Sequence, residues 1–348
     1  MGISVGSIVM LNLPLHRAPE SGNHWFNTYH KHHTKNLGLS KSAYDPCLLI
    51  RNDDEYFGII GMQIDDTFGL TNTKFAELEE EKIKEANIKY KKRGILTVDK
   101  PLKFNGGLIT LMKNGNVSLT QESYCKNLKT VNIKEVVTKT SSRGVVRSNL
   151  TPKDQYVAQR AAGSYIGTMC QPEVCAALSL AAQAINPNMD DAKALNKALQ
   201  WQIENPKRGL TFINIEEDFE VLVFVASSFA NNKDYTSQLG TIIAIKDKTG
   251  HINIIHYNSI KAKRVVRSVL NAELQGLPLG FDMGACIKKT YEKIFKKNIP
   301  LVVYTDSKSL YDCVIRLGMT LDKRMMIDVM VIRDAYEERE LKKKRVYR

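Results

Sequence analysis

The stretch FGIIGMQIDDTFGL, residues 57–70, decides how the chain is read: an apolar run ends in two adjacent carboxylates, Asp65 and Asp66, and a second short apolar run follows. Adjacent aspartates repel one another and lose hydration as apolar strands pack around them, so such a pair sits at a turn or is neutralised by a divalent cation. Magnesium suits it, because carboxylate oxygens, water and phosphate oxygens together complete its octahedron. A plain surface turn is the alternative, aspartate being a common turn former.

Working outward, PCLLIR (46–51), Asn52-Asp53-Asp54 and the run into Asp65 read as strand, turn, strand, which assigns Asp53 and Asp54 to the turn. Upstream, Asn23 to Leu37 reads as an amphipathic helix with Trp25, Phe26 and Tyr29 on one face. Its histidines, His24, His30, His32 and His33, have no cysteine or acid nearby in sequence and read as exposed helix residues rather than a zinc site. Downstream, Thr73 to Arg93 reads as a charged helix with one buried stripe (Phe75, Leu78, Ile83, Ala86, Ile88) and a solvated charged face. Asn114-Gly115 between two β-rich runs marks a hairpin. In Phe104-Asn105-Gly106-Gly107, the two glycines would let backbone approach another strand closely, or serve an ordinary hairpin. Residues 131–155 are polar and basic and read as an exposed connection, followed by two small-residue-rich or amphipathic helical stretches to about residue 208.

From Gly209 onward, strand-like runs over 221–230 and 241–245 precede alternating helices and strands, an order that fits an RNase H-like α/β fold. The chain of 348 residues, 43% hydrophobic and 25% charged, accommodates about two domains. Its 50 Lys and Arg against 37 Asp and Glu leave +13, a balance that favours polyanions such as nucleic acid, with ordinary solubility charge as the alternative. The six cysteines lack any Cys-x-x-Cys spacing and read as reduced thiols. No apolar run approaches the ~18 residues of a membrane span, and the amino terminus lacks a basic leader region. The expectation is an intracellular protein, cytoplasmic or nuclear, with no membrane partner.

The segments HWFNTYHKHH (24–33), YDPCLLI (44–50) and IDDT (64–67) are similar to the copia-type LTR retrotransposon Pol polyprotein, and the similarity continues through nearly the whole chain. Gln63-Ile64-Asp65-Asp66 stands where the reverse transcriptase of that family presents metal-binding aspartates. The match is degraded before Pro19, where Leu15-His16-Arg17 replaces a Leu-Tyr-Gly segment. The resemblance implies an α+β / α/β architecture in three parts. A partial reverse transcriptase palm with a primer-grip hairpin spans 1–130, thumb and connection helices span 131–208, and an RNase H-like domain lacking its carboxyl-terminal end spans 209–348. It implies nucleic-acid contact at Phe104, Asn105, Gly106 and Gly107. It also implies catalytic, metal-holding carboxylates at Asp65, Asp66, Glu273 and Asp306, the last two within SVLNAEL (268–274) and YTDS (304–307). KRMMIDVMVIRDAYEE (323–338) matches the helix that follows, with Asp328 and Arg333.

Such centres work with Mg2+ or Mn2+, one ion activating water and the other stabilising the leaving oxygen. The implied partners are an RNA–DNA hybrid, an RNA template, a DNA primer and other chains cut from the same polyprotein. One departure bears on activity: where the family has Thr-Asp-Ala-Ser-Phe-Ala, this chain has Val225-Ala226-Ser227-Ser228-Phe229-Ala230. Ala226 therefore occupies the position of the metal-bridging aspartate, and Asp234 falls beyond the strand. With no aspartate in residues 1–22, and the sequence ending at KKKRVYR ahead of the last family carboxylate, the expectation is a truncated remnant that is weakly active or inactive. The alternative is a non-catalytic protein that binds hybrid or other nucleic acid.

Overall fold

The computed structural model describes residues 21–64, 66–132, 137–140, 146–315, 323–338 and 341–346. The chain divides into two compact units, one of residues 1–93 with 289–297, the other of residues 94–288 with 298–348.

In the first unit, helix α1 (Ser21–Asn36) precedes a four-stranded antiparallel sheet of β1 (Ser40–Lys41), β2 (Leu48–Asn52), β3 (Phe57–Gln63) and β4 (Asp66–Thr71), paired in chain order. Along β3 the exposure alternates, with Gly58, Ile60 and Met62 inward, the period a half-buried strand requires. Helix α2 (Thr73–Glu85) starts where Asn72 accepts from the Phe75 N–H and sends Phe75 and Ile83 into the core. The expected helix to Arg93 stops eight residues early. Ala86 bonds back to Lys82, Asn87 turns left-handed at φ 52°, and the like charges of Lys89, Lys91, Lys92 and Arg93 follow.

The histidine reading needs correction too. His32 and His33 are buried, and an acid 46 residues beyond His33 meets it, with His33 Nε2 3.0 Å from Glu79 Oε1. Glu79, expected on a solvated face, is only 5% exposed. It also accepts from the Tyr29 hydroxyl (3.2 Å) and from Arg93 (3.0 Å), while the Trp25, Tyr29 and His33 rings stack in a column. Burial opposes the Glu79 charge, but the His33 and Arg93 contacts overcome it and hold the carboxyl below its ordinary range.

In the second unit, β5 (Leu102–Phe104), β6 (Gly107–Leu111) and β7 (Val117–Thr120) form hairpins in sequence, and the Asn114-Gly115 turn stands where expected. A short helix α3 (Glu122–Cys125) leads on. The stretch expected as plain connection instead contains two paired strands, β8 (Val137–Thr140) and β9 (Val146–Leu150). Their β-branched residues at 137, 138, 140 and 146 account for this. The Ser141-Ser142-Arg143-Gly144 segment between them lies outside the described residues. Helices α4 (Pro152–Cys170), α5 (Cys175–Ala181) and α6 (Met189–Glu204) follow, α4 and α6 each opened by a capping box, Thr151 with Asp154 and Asn188 with Asp191. Their inner faces bury Tyr156, Ile166, Leu178, Leu195 and Leu199 in one cluster. Strand β10 (Leu210–Phe212) then adds to the edge of β7.

The last sheet is built from β11 (Phe219–Ser228), β12 (Gln238–Asp247) and β13 (Ile252–Lys261) as an antiparallel meander. Helix α7 (Val269–Phe295), β14 (Leu301–Thr305), helices α8 (Lys308–Ile315) and α9 (Lys323–Glu337), and β15 (Leu341–Val346) complete it. The strand order is β13-β12-β11-β14-β15, with β14 parallel to β11 and β15 parallel to β14. This is the RNase H-like arrangement, and β15 gives it a fifth strand within the KKKR segment. Helix α7 lies very close to β11: a methyl built on Gly280 meets Val225 and Val223, and one on Gly284 meets Val223 and, at 3.2 Å, Leu301. The odd residues of β11 thus face α7, and the even ones, Phe224 and Ala226, face the other way.

Two outcomes follow from this packing. Gly284→Val should destabilise the second unit by about 2 kcal/mol in chemical denaturation, because nothing rigid there can yield. Glu79→Ala should cost the first unit about 3 kcal/mol, since Tyr29, His33 and Arg93 lose their shared acceptor. The depressed carboxyl places that stabilisation above the ordinary glutamate value of 4.5, to be lost as pH falls further, so the cost of Glu79→Ala should shrink in melts taken at acid pH.

Candidate active site

The parallel register of β11 and β14 sets Val225 opposite Thr305, so that the next residue on each strand, Ala226 and Asp306, emerges at the same end of the sheet. Glu273 reaches the same place from the first turns of α7, where its Oε1 accepts the Ser227 N–H at 3.4 Å. The structure therefore brings together Glu273, Asp306 and Ala226, three positions widely separated in sequence. Their environments differ: Asp306 is exposed, whereas Glu273 is 5% exposed. Burial raises the Glu273 carboxyl above its ordinary range; the Ser227 donors pull it partly back, and the Asp306 charge pushes it further up. A buried carboxylate whose charge is opposed both by burial and by a second carboxylate is a candidate site residue.

Asp234 offers no substitute at position 226. It sits in the turn beyond β11, paired with Lys261 at 2.5 Å and bonded to Thr236, contacts that lower its carboxyl to about 2. Asp328 lies on α9, its carboxyl raised by burial, with Arg264 pulling it down and Asp282 raising it again. Arg333 is buried and donates to the Cys313 and Val314 carbonyls, tying α9 to α8. Its role is packing.

Glu273 and Asp306 supply oxygen donors for one hard divalent cation, with water and phosphate oxygens left to complete the shell. The methyl of Ala226 cannot bridge two ions, and among the described residues no group of three potential ligands gathers anywhere. The donor set fits one ion and does not fit a two-ion centre.

At the other expected centre, Asp66 is exposed at the first residue of β4, opposite Gln63 across the ladder. Asp65 lies outside the described residues. Ile64 connects the strands at φ 51°, an unusual backbone for a β-branched residue and one that costs of order 1 kcal/mol or more. The Phe104–Gly107 segment is a tight turn, with Asn105 at φ 45° and Gly106 at φ 70°. Tyr165 donates to the Asn105 carbonyl at 2.7 Å, a methyl on Gly106 would strike that same hydroxyl, and one on Gly107 would meet Leu119 at 2.6 Å. Internal packing thus suffices to require both glycines. Sequence reading passed over Ser227, the donor to Glu273, and Tyr165; strand alternation from Val223 and Val225 is the signal that turns Ser227 towards α7.

No family model matches the sequence, and no curated protein matches it. Among solved structures, the chain is similar to LC11-RNase H1 in complex with an RNA/DNA hybrid, at 14% identity and TM-score 0.26, over 34% of this chain and 78% of that one. It is similar to RNase H1 of the halophilic archaeon Halobacterium salinarum at 11% identity and TM-score 0.26, over 37% of this chain and 83% of that one. It is also similar to the foamy viral protease-reverse transcriptase in complex with an RNA/DNA hybrid, at 14% identity and TM-score 0.41, over 79% of this chain and 34% of that one. The fold assignment rests on the strand order and register.

The raised Glu273 carboxyl has a measurable signature. The folded state holds that proton more tightly than the unfolded chain, so stability falls as pH rises from about 4.5 through the folded value. Glu273→Gln should therefore raise the melting temperature at pH 7 to 8, and the gain should vanish near pH 4.

Proposed function

We propose that this chain is a copia-type reverse transcriptase–RNase H derivative that binds RNA–DNA hybrid through a basic surface and whose nuclease centre is catalytically deficient. The observation that carries this reading is Ala226 at the end of β11, beside Glu273 and Asp306, where the bridging carboxylate of such a centre belongs. In this reading residues 1–130 act as palm and primer-grip hairpin, 131–208 as thumb and connection, and 209–348 as the RNase H-like part. Asp65 and Asp66 belong to the polymerase turn, and Phe104 to Gly107 guide a primer strand.

The chemistry divides among this chain's own residues. Asp306, exposed at the strand end, and Glu273, fixed by the Ser227 N–H, would hold one Mg2+ or Mn2+ against a phosphate of the RNA strand. That ion supplies Lewis-acid polarisation of the phosphoryl oxygen. What residue 226 omits is the oxygen that would fix a second ion, so attack by water and departure of the leaving oxygen are not stabilised together. Affinity for hybrid comes from the +13 charge by release of counterions, and is independent of base sequence. The working compartment is intracellular, cytoplasmic or nuclear, where template, primer and the companion polyprotein chains are found.

The test is cleavage of the RNA strand in an RNA–DNA hybrid with Mg2+ or Mn2+, together with hybrid binding across a salt series. The expected result is no cutting by the chain as written, cutting by Ala226→Asp, and its loss again in Ala226→Asp with Asp306→Ala. Hybrid affinity should drop by at least about tenfold between 50 and 200 mM salt. Cutting by the written chain that Asp306→Ala abolishes would overturn the deficiency, and absent or salt-insensitive binding would overturn the nucleic-acid reading.

A further inference from the structure

The face of the last sheet that looks away from α7 carries a hollow of about 470 Å³, within the size range of small-ligand sites. Its floor comes from the sheet: Phe224, Ile242, Tyr257 and Tyr304. Its wall comes from a different layer, through Pro172 in the turn before α5 and Cys175, the first residue of α5. The floor is pre-organised. The Phe224 and Tyr304 rings stack at 4.9 Å and 12°, and the Tyr257 hydroxyl is fixed by donation to the Gly167 carbonyl at 2.8 Å. Ala226 lies in the lining and Asp306 at the edge.

We propose that this hollow binds a small, flat aromatic cation. The aromatic and aliphatic floor favours a planar apolar body, and the electron-rich faces of phenylalanine and tyrosine favour positive charge over negative. Asp306 is the one carboxylate in the lining. Placed at the edge of the hollow, its carboxylate is positioned to meet a ligand's positive charge. An anionic ligand is disfavoured by the same carboxylate. Over the aromatic floor, which Ala226 extends with a methyl, a desolvated planar body is favoured above a hydrated metal ion, whose place in the reading above is at the corner where Glu273 and Asp306 meet. The inference stands on the cavity alone and does not depend on the nucleic-acid reading above.

Calorimetric titration of the full chain with 4-aminoquinoline, cationic at neutral pH, and with 1-naphthylamine, an uncharged molecule of nearly the same shape, tests it. The written chain should bind the cation about tenfold more tightly than its neutral counterpart. Asp306→Asn should erase that preference while leaving the neutral compound's affinity unchanged. Phe224→Ala should weaken both, and because Phe224 is 36% exposed, a thermal melt should show the variant folded. Equal affinity for the two compounds, a preference that survives Asp306→Asn, or no heat with either at millimolar concentration would each overturn the proposal. Hybrid binding by the same preparation is independent of all three results.

Discussion

Contact between Gly280 and Gly284 of α7 and the valines of β11 is the constraint on which the last sheet of this molecule depends. Because no side chain separates helix from strand, the helix start is carried over the end of β11, and Glu273 arrives within reach of the Ser227 backbone. The same closeness assigns the faces of the strand. Val223 and Val225 are spent on the helix, so Phe224 and Ala226 are left to shape the opposite side. The corner that holds Glu273 and Asp306 and the apolar hollow are therefore two products of one packing decision.

The first unit is organised by a different force. Glu79 is buried among rings, and that placement is tolerable only because three donors or partial charges converge on it. The network ties α1, α2 and the segment beyond α2 to each other, and the Tyr29 hydroxyl extends it to Thr67 on β4. The β3–β4 hairpin thus rests on an apolar core, with Leu49, Ile60, Met62 and Phe75 in it, that has a buried polar network at its side, and through Glu79 the stability of this unit is coupled to proton concentration.

Much of this was legible in sequence where the signal is local. The apolar runs at 57–63 and 221–230 and the Asn114-Gly115 turn could be placed before any coordinates, and the resemblance singled out Glu273, Asp306 and Ala226. What escaped was long range. His33 and Glu79 are 46 residues apart, and nothing in either neighbourhood announces the other. Lys-rich spacing after Glu85 reads as helix by period, yet a left-handed Asn87 ends it. Residues 137–150 looked like linker because they are polar, although their β-branched members pair. The apolar hollow was invisible too, since its wall and floor come from segments some fifty residues apart or more, 172–176 and 224–306.

The parallel pairing of Val221 with Leu301 joins residues 80 positions apart, whereas β11, β12 and β13 close on their immediate neighbours. Loop-closure entropy makes the local meander the early event and the β11–β14 seam the late one. Glu273 and Asp306 therefore become neighbours only as that seam forms. The repulsion between them is met at the end of folding, when the surrounding sheet already has the cohesion to bear it.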